Sequence, residues 1–265
     1  MAKRIRPDLP VGMAGIPLDM SVALGMVKDA FVGDRVGVNT SVGTTTEDVW
    51  DYSGGGQRTL LTSAETMNIV STDVNDTSAG TGARTITIVG LDENYNRITE
   101  NVTLNGTSNV LTSKSYLRVG RMLVISAGSG LTNAGEITAT ASSSGEVQDV
   151  VPELGGISSQ CALTVPADHF MILTLINIGT GRNDEMEISL VANFPQLTLT
   201  QVEAITHIMY EGSESLDFQH HQFFPEKTDL VLRARRTAGT SAKVSGGMQG
   251  LIFPNSYLGD SFTFY

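Results

Sequence analysis

Along much of this chain, apolar residues alternate with small polar ones. In Arg84-Thr-Ile-Thr-Ile-Val-Gly90, Ile86 and Ile88 alternate with threonines. Across the Asp92–Arg97 loop, Val102 and Leu104 do the same with threonine and asparagine. A period of two puts successive side chains on opposite faces, so the pair predicts an antiparallel hairpin with one buried and one wet face. The pattern predicts further strands over Thr59–Ser71, Ile98–Asn105, Val110–Thr112 with Tyr116–Ile125, and Glu136–Ala141. In the second half it predicts Gln160–Val165, Phe170–Ile178, Glu185–Asn193, Ala204–Tyr210, Glu214–His220, Asp229–Arg235 and Lys243–Phe253. The segments between them are rich in Gly, Ser, Asn and Asp, as turns between strands require.

The first 49 residues differ. Pro7, Pro10 and Pro17, with Gly12 and Gly15, interrupt regular structure. One short helix fits between Leu18 and Phe31, bounded by Pro17 and Asp19 and ended by Gly33, with Gly25 weakening it. Residues 1–49 therefore read as an extended anchoring arm. Its Met13, Met20, Val22, Met26 and Phe31 need a neighbour to bury them, which makes them the candidate anchoring residues. A linker is expected over 148–157, where Pro152 and Gly155-Gly156 fall. The fold expected is all-β: two antiparallel β-sandwich domains of jelly-roll or immunoglobulin-like type, 50–147 and 158–253, and a tail, 254–265, whose aromatics dock.

Composition narrows the function. With 40% hydrophobic residues the chain has material for cores, yet only 17% of its residues are charged, so Thr, Ser, Asn and Gln cover much of its surface. A net charge of −11 argues against a nucleic-acid groove or an anionic membrane surface. Lys3–Arg6 and Arg233–Arg236 read as solvated or interfacial patches. Cys161, the sole cysteine, rules out an internal disulfide and reads as a small buried hydrophobe. No apolar run approaches the ~18 residues of a membrane helix, and the opening residues lack the apolar stretch of a secretory signal.

Candidate chemistry is sparse. Asp92–Arg97 offers oxygens at the spacing of a calcium loop, but Arg97 stands where glycine is needed and Thr103 where a bidentate Glu is needed. Asp73–Asp76 has the same difficulty at Arg84, so both read as turns, with a looser calcium site using both loops as the alternative. His220 and His221 are adjacent in a strand and point to opposite faces, so one chain cannot aim both at one ion. A single His on a three-fold axis is the alternative. His169 and His207 have no cysteine partner nearby, Glu211 and Glu214 read as a solvated face, and Trp50 reads as an anchor. Neither a nucleophile elbow nor a phosphate loop nor a His-Glu-x-x-His motif occurs. No enzyme, cofactor or metal is expected.

Several segments occur in a telling order: Thr46–Asp51, Val70–Ala83, Gly90–Asn96, Val102–Thr107, Ser115–Arg121, Ser126–Gly130 and Phe224–Leu230. Together, over about residues 46–253, they resemble a widespread family of tailed-bacteriophage virion proteins. The resemblance implies a structural role in the particle, with other virion proteins as partners and assembly in the host cytoplasm; it brings no catalytic residues. A tail or head–tail collar appendage, such as a fibre base, is the expectation. The alternatives are a capsid decoration protein or a receptor- or carbohydrate-binding module. Few strand lysines guard the sheet edges, so a homotrimer or ring is expected rather than a monomer.

Overall fold

The structure is a computed structural model that describes residues 16–194, 202–239 and 243–258, with backbone alone over 182–184, 202–211 and 217–221. A short helix, α1 (Leu18–Ala23), opens the described chain, followed by β1 (Phe31–Asn39) and β2 (Glu47–Asp48). Next come β3 (Glu65–Ser71), β4 (Ala83–Leu91), β5 (Arg97–Thr103), β6 (Val110–Tyr116), β7 (Arg118–Ala127), β8 (Ile137–Ala141) and β9 (Val147–Val151). The second half holds β10 (Ala162–Thr164), β11 (His169–Asn193), β12 (Val202–Phe224), β13 (Asp229–Ala238) and β14 (Val244–Pro254). The described chain is nearly all β, and its sheets are antiparallel.

In the first half, β5-β4-β7 and β6-β3-β8-β9 form two sheets. The alternation in β4 and β5 does what it predicts. Ile86 faces Val102 across the hairpin, and Ile86, Ile88, Val102 and Leu104 are all buried. Thr87, on the wetter face, donates its hydroxyl to Asn101 Oδ1 at 2.7 Å. The buried side chains share one core with Met67 and Ile69 of β3, Met122 of β7 and Ile137 of β8, so both sheets contribute to it.

The second half is built on one seven-stranded sheet, ordered β1-β14-β11-β13-β10, with β12 beside β11 and β2 against β13. Phe170–Ile178 and Glu185–Asn193, expected as separate strands, belong to the single 25-residue strand β11. Ala204–Tyr210 and Glu214–His220 likewise merge into β12. The gap between the expected strands falls at an irregularity between Thr180 and Glu185, where Thr180 faces Gly212 at φ +119°. Bulged residues on paired strands bend a ladder instead of reversing it. On one side of the bend β11 pairs with β14, on the other with β13. Met171, Leu173 and Ile176 before the bend share a core with Met186, Ile188 and Leu190 after it.

Two strands within the segment expected as an arm over 1–49 belong to this sheet. From Phe31↔Ile252 to Asn39↔Val244, β1 lies along β14, and β2 pairs with β13. The inner positions of β1 hold Gly33 and Gly37 where an ordinary strand shows large apolar residues, which hides its period of two. Gly37 is needed for close approach of backbone, while Gly33 sits against the end of a flexible side chain. A Cβ at Gly37 would run into the Val49 carbonyl and the Cys161 amide, and one at Gly33 into Ile252. The expected linker over 148–157 also begins inside structure, because 148–151 belong to β9, paired with β8.

Candidate functional site

The five candidate anchoring residues separate by environment. Met13 lies outside the described residues. Val22 faces inward, packed with Val27, Phe170, Leu251 and Phe253. That cluster is reinforced by stacking of Phe170 on Phe223 and Phe253, with ring centroids 5.2 and 5.6 Å apart. Phe31, on β1, is half-buried against the large core and carries the Arg97 guanidinium 4.2 Å over its ring. Met20 and Met26 remain exposed, at 52% and 51%. Leu18, Leu24, Val32 and Val36, also exposed, add four large apolar side chains on α1 and β1 or just after the helix. Helix α1 is held by Val22, and the segment after it by Tyr257, whose hydroxyl donates to the Lys28 carbonyl at 3.4 Å; buried Ser21 donates its hydroxyl to the Pro17 carbonyl at 3.1 Å within the helix's own first turn. A helix of this length is not stable on its own, so its exposed face is held out by this inner packing.

Where β1 approaches β7, a cleft of about 280 Å³ runs along the seam between the two halves. Five arginines line it, Arg35, Arg58, Arg97, Arg118 and Arg121; the sequence reading weighs none of them as a ligand and names Arg97 only as the residue that spoils a calcium loop. Two of them are structural. Arg58 Nη1 donates to the carbonyls of Val119 and Gln148 and to Gln160 Oε1. Arg118 holds Asp229 through Nε–Oδ1 at 2.8 Å and Nη2–Oδ2 at 2.9 Å, both residues being buried. The other three differ. Arg35 gives Nη1 to the Asp34 carbonyl at 2.7 Å, while its buried Nε has no hydrogen-bond partner. Arg121 Nη2 donates to the same carbonyl at 3.0 Å and lies 3.5 Å from the half-exposed Asp34 carboxylate. Burial, and then repulsion from Arg121, push Arg35 down to about 10.

Asp149 on β9 is fully buried, and its Oδ2 has no partner. Burial pushes its carboxyl up to about 7, against the opposing pull of the Val150 N–H, Ser158, Arg58 and Arg35. A carboxyl raised from 3.8 by folding adds stability in full below about pH 4, and that contribution fades as pH rises through about 7. Urea denaturation should therefore show stability falling between about pH 4 and about pH 7. Asp149→Asn should flatten that fall, because its side chain does not titrate; an unchanged slope would assign the titration elsewhere.

The remaining candidates are accounted for locally. Asp92 Oδ1 accepts the Asn94 and Asn96 amides, both at 2.9 Å, which closes the hairpin turn. Asp73 Oδ1 does the same for Asn75, and the Asp76 carboxylate is buried among loop amides. His169 bonds the Ala167 carbonyl through Nδ1 at 2.7 Å. The side chains of His207, Glu211, His220 and His221 lie outside the described residues, and Glu214 is exposed. Among the described residues, no group of three His, Cys, Asp or Glu side chains converges as metal ligands would. Cys161 is buried, and burial pushes its thiol up to about 12. Trp50 is buried, giving Nε1–H to the Gly56 carbonyl at 3.1 Å. Among the described residues, no helix is long and apolar enough to cross a membrane.

No family model matches this chain, and neither does any curated protein. Solved structures give distant superpositions. The structure of the infectious bursal disease virus Gt strain is 9% identical, with 91% of this chain and 80% of that chain covered at a TM-score of 0.16. The VP2 subviral particle of infectious bursal disease virus is 9% identical, covering 87% and 73% at 0.18. The Gx strain is 9% identical, covering 86% and 74% at 0.21. At TM-scores this low, the superpositions carry no argument about fold or role.

Proposed function

We propose that this chain is a non-enzymatic structural protein of a bacteriophage virion, a tail or head–tail collar appendage assembled as a homo-oligomer. In this reading the two cores are those of two sandwich-like β units, and the protein's work is assembly. The observation that carries it is the concentration of exposed large apolar side chains within residues 18–36, where Leu18, Met20, Leu24, Met26, Val32 and Val36 make up six of the twelve exposed among the described residues. Exposed large apolar residues concentrated in one short stretch of chain mark an interaction surface. Burying a Leu or Met side chain against a partner contributes about 1.5–3 kcal/mol, so several suffice to dock the chain on a neighbouring virion protein. The sequence resemblance to tailed-phage virion proteins supports the same assignment.

Strand β12 supports self-assembly. It is 23 residues long and pairs with β11 alone among the described strands, so among the described residues its other edge has no strand partner. An open edge of that length is a template for pairing, and a neighbouring copy is the simplest cover.

The anchoring face is tested by Met20→Asp with Leu24→Asp. Both side chains are exposed in the isolated chain, so thermal stability should change by only about 0.5 kcal/mol per site. Incorporation into purified particles, read by quantitative immunoblot, should fall at least tenfold. Normal incorporation of the doubly substituted protein would exclude this face as the anchor.

A further inference from the structure

In a chain of net charge −11, the seam cleft gathers cations. Arg118 gives four hydrogen bonds to protein acceptors and Arg58 commits its Nη1 to three, so the cleft's candidate ligand donors are Arg35 on β1, Arg121 on β7 and Arg97 at the start of β5. Against them stands Asp34, whose carboxylate is half-exposed and 3.5 Å from Arg121. Holding two guanidinium groups together while one Nε is buried without an acceptor is unfavourable for the empty protein. The approach is nonetheless built in. At Gly120 on β7 a Cβ would come within 3.2 Å of Arg35 Nη2, so the glycine lets the Arg35 guanidinium lie close to the strand.

We propose that this cleft binds one small oxyanion, with Arg35 and Arg121 as its principal ligands and Arg97 at the rim. The guanidinium fork matches the oxygens of phosphate, sulfate or carboxylate two at a time, and it gives Arg35 Nε the acceptor it lacks. Arg58 and Arg118 add positive potential behind the site. A cleft of about 280 Å³ falls below the usual range for drug-sized ligands, which limits the occupant to a single anionic group. That group is either a free anion or a carboxylate side chain from a second copy of this acidic chain.

Inorganic phosphate is the probe. Thermal denaturation of the full chain at pH 7.5 is followed against sodium phosphate, with sodium chloride at matched ionic strength as reference. The midpoint should rise saturably with phosphate beyond any effect of chloride. Arg121→Gln, at a partly exposed position that leaves folding intact, should weaken the apparent affinity at least tenfold. Arg35→Lys should also weaken it, since it keeps the charge but loses the fork. Equal responses to phosphate and chloride, or undiminished affinity in Arg121→Gln, would overturn the site. Native mass measured in the same titration separates the sources. An oligomer that dissociates as phosphate binds places a second copy's carboxylate in the cleft, and an unchanged oligomer identifies a free anion; either accompanies a confirmed site.

Discussion

Asp76→Ala should destabilise the protein by about 4–5 kcal/mol, enough to unfold many domains. The Asp76 carboxylate is fully buried and accepts four hydrogen bonds. Oδ1 takes the amides of Ala83 at 2.6 Å and Ala134 at 2.8 Å, and Oδ2 takes the Ser71 hydroxyl at 2.6 Å and the Gly135 amide at 2.9 Å. One side chain thereby ties the end of β3, the start of β4 and the loop before β8. Truncation leaves three backbone N–H groups without an acceptor in a space closed to water, at about 1–3 kcal/mol each before relaxation. Asp76→Asn keeps the volume but turns an amide against those donors, so it should recover only part of the loss. Urea denaturation measures both. A loss under about 1 kcal/mol for the alanine variant would mean that the loops do not depend on this staple.

Asp229→Ala should cost about 3–5 kcal/mol, because it strands the Arg118 guanidinium in the seam between the two halves. Besides Arg118, Asp229 accepts the Thr164 hydroxyl at 2.6 Å, and Arg118 also donates to the carbonyls of Leu61 and Leu117. The pair joins the first strand residue of β7 to the first of β13. Burying two charges is expensive even when they are well paired, so replacing both should be milder than replacing one. The double variant Arg118→Met, Asp229→Leu is expected to regain at least half of the stability lost by Asp229→Ala. A double-mutant cycle in urea gives the coupling, and single and double losses that simply add would mean the pair does not act as a unit.

The contrast between β4 and β1 explains what could be read from sequence. In β4 and β5, isoleucine, valine and leucine mark the inner face, so the hairpin and its core were visible as alternation. In β1 the inner face is marked by glycine, and an absent side chain leaves no hydrophobic signal, so the segment read as an arm. β11 and β12 were visible as strands but were cut at their glycines, because local turn chemistry cannot distinguish a bulge from a reversal. Among the anchoring candidates, the methionines at 20 and 26 and the buried Val22 look alike in sequence; only the packing of Phe170 and Phe253 decides which of them face out. The acids weighed as calcium ligands are the loop staples themselves, since Asp73, Asp76 and Asp92 satisfy backbone amides. The cleft left no local trace: Arg35, Arg58, Arg97, Arg118 and Arg121 come from four separate stretches of the chain and meet only through the pairing of β1 with β14 and the approach of β7.

The central claim is that this protein is a stoichiometric component of a virion tail or collar. Counting its copies in purified particles, by quantitative mass spectrometry against an isotope-labelled standard, tests it most directly. The account predicts a copy number that is a multiple of six or twelve, and absence of the protein from the purified particle would contradict it.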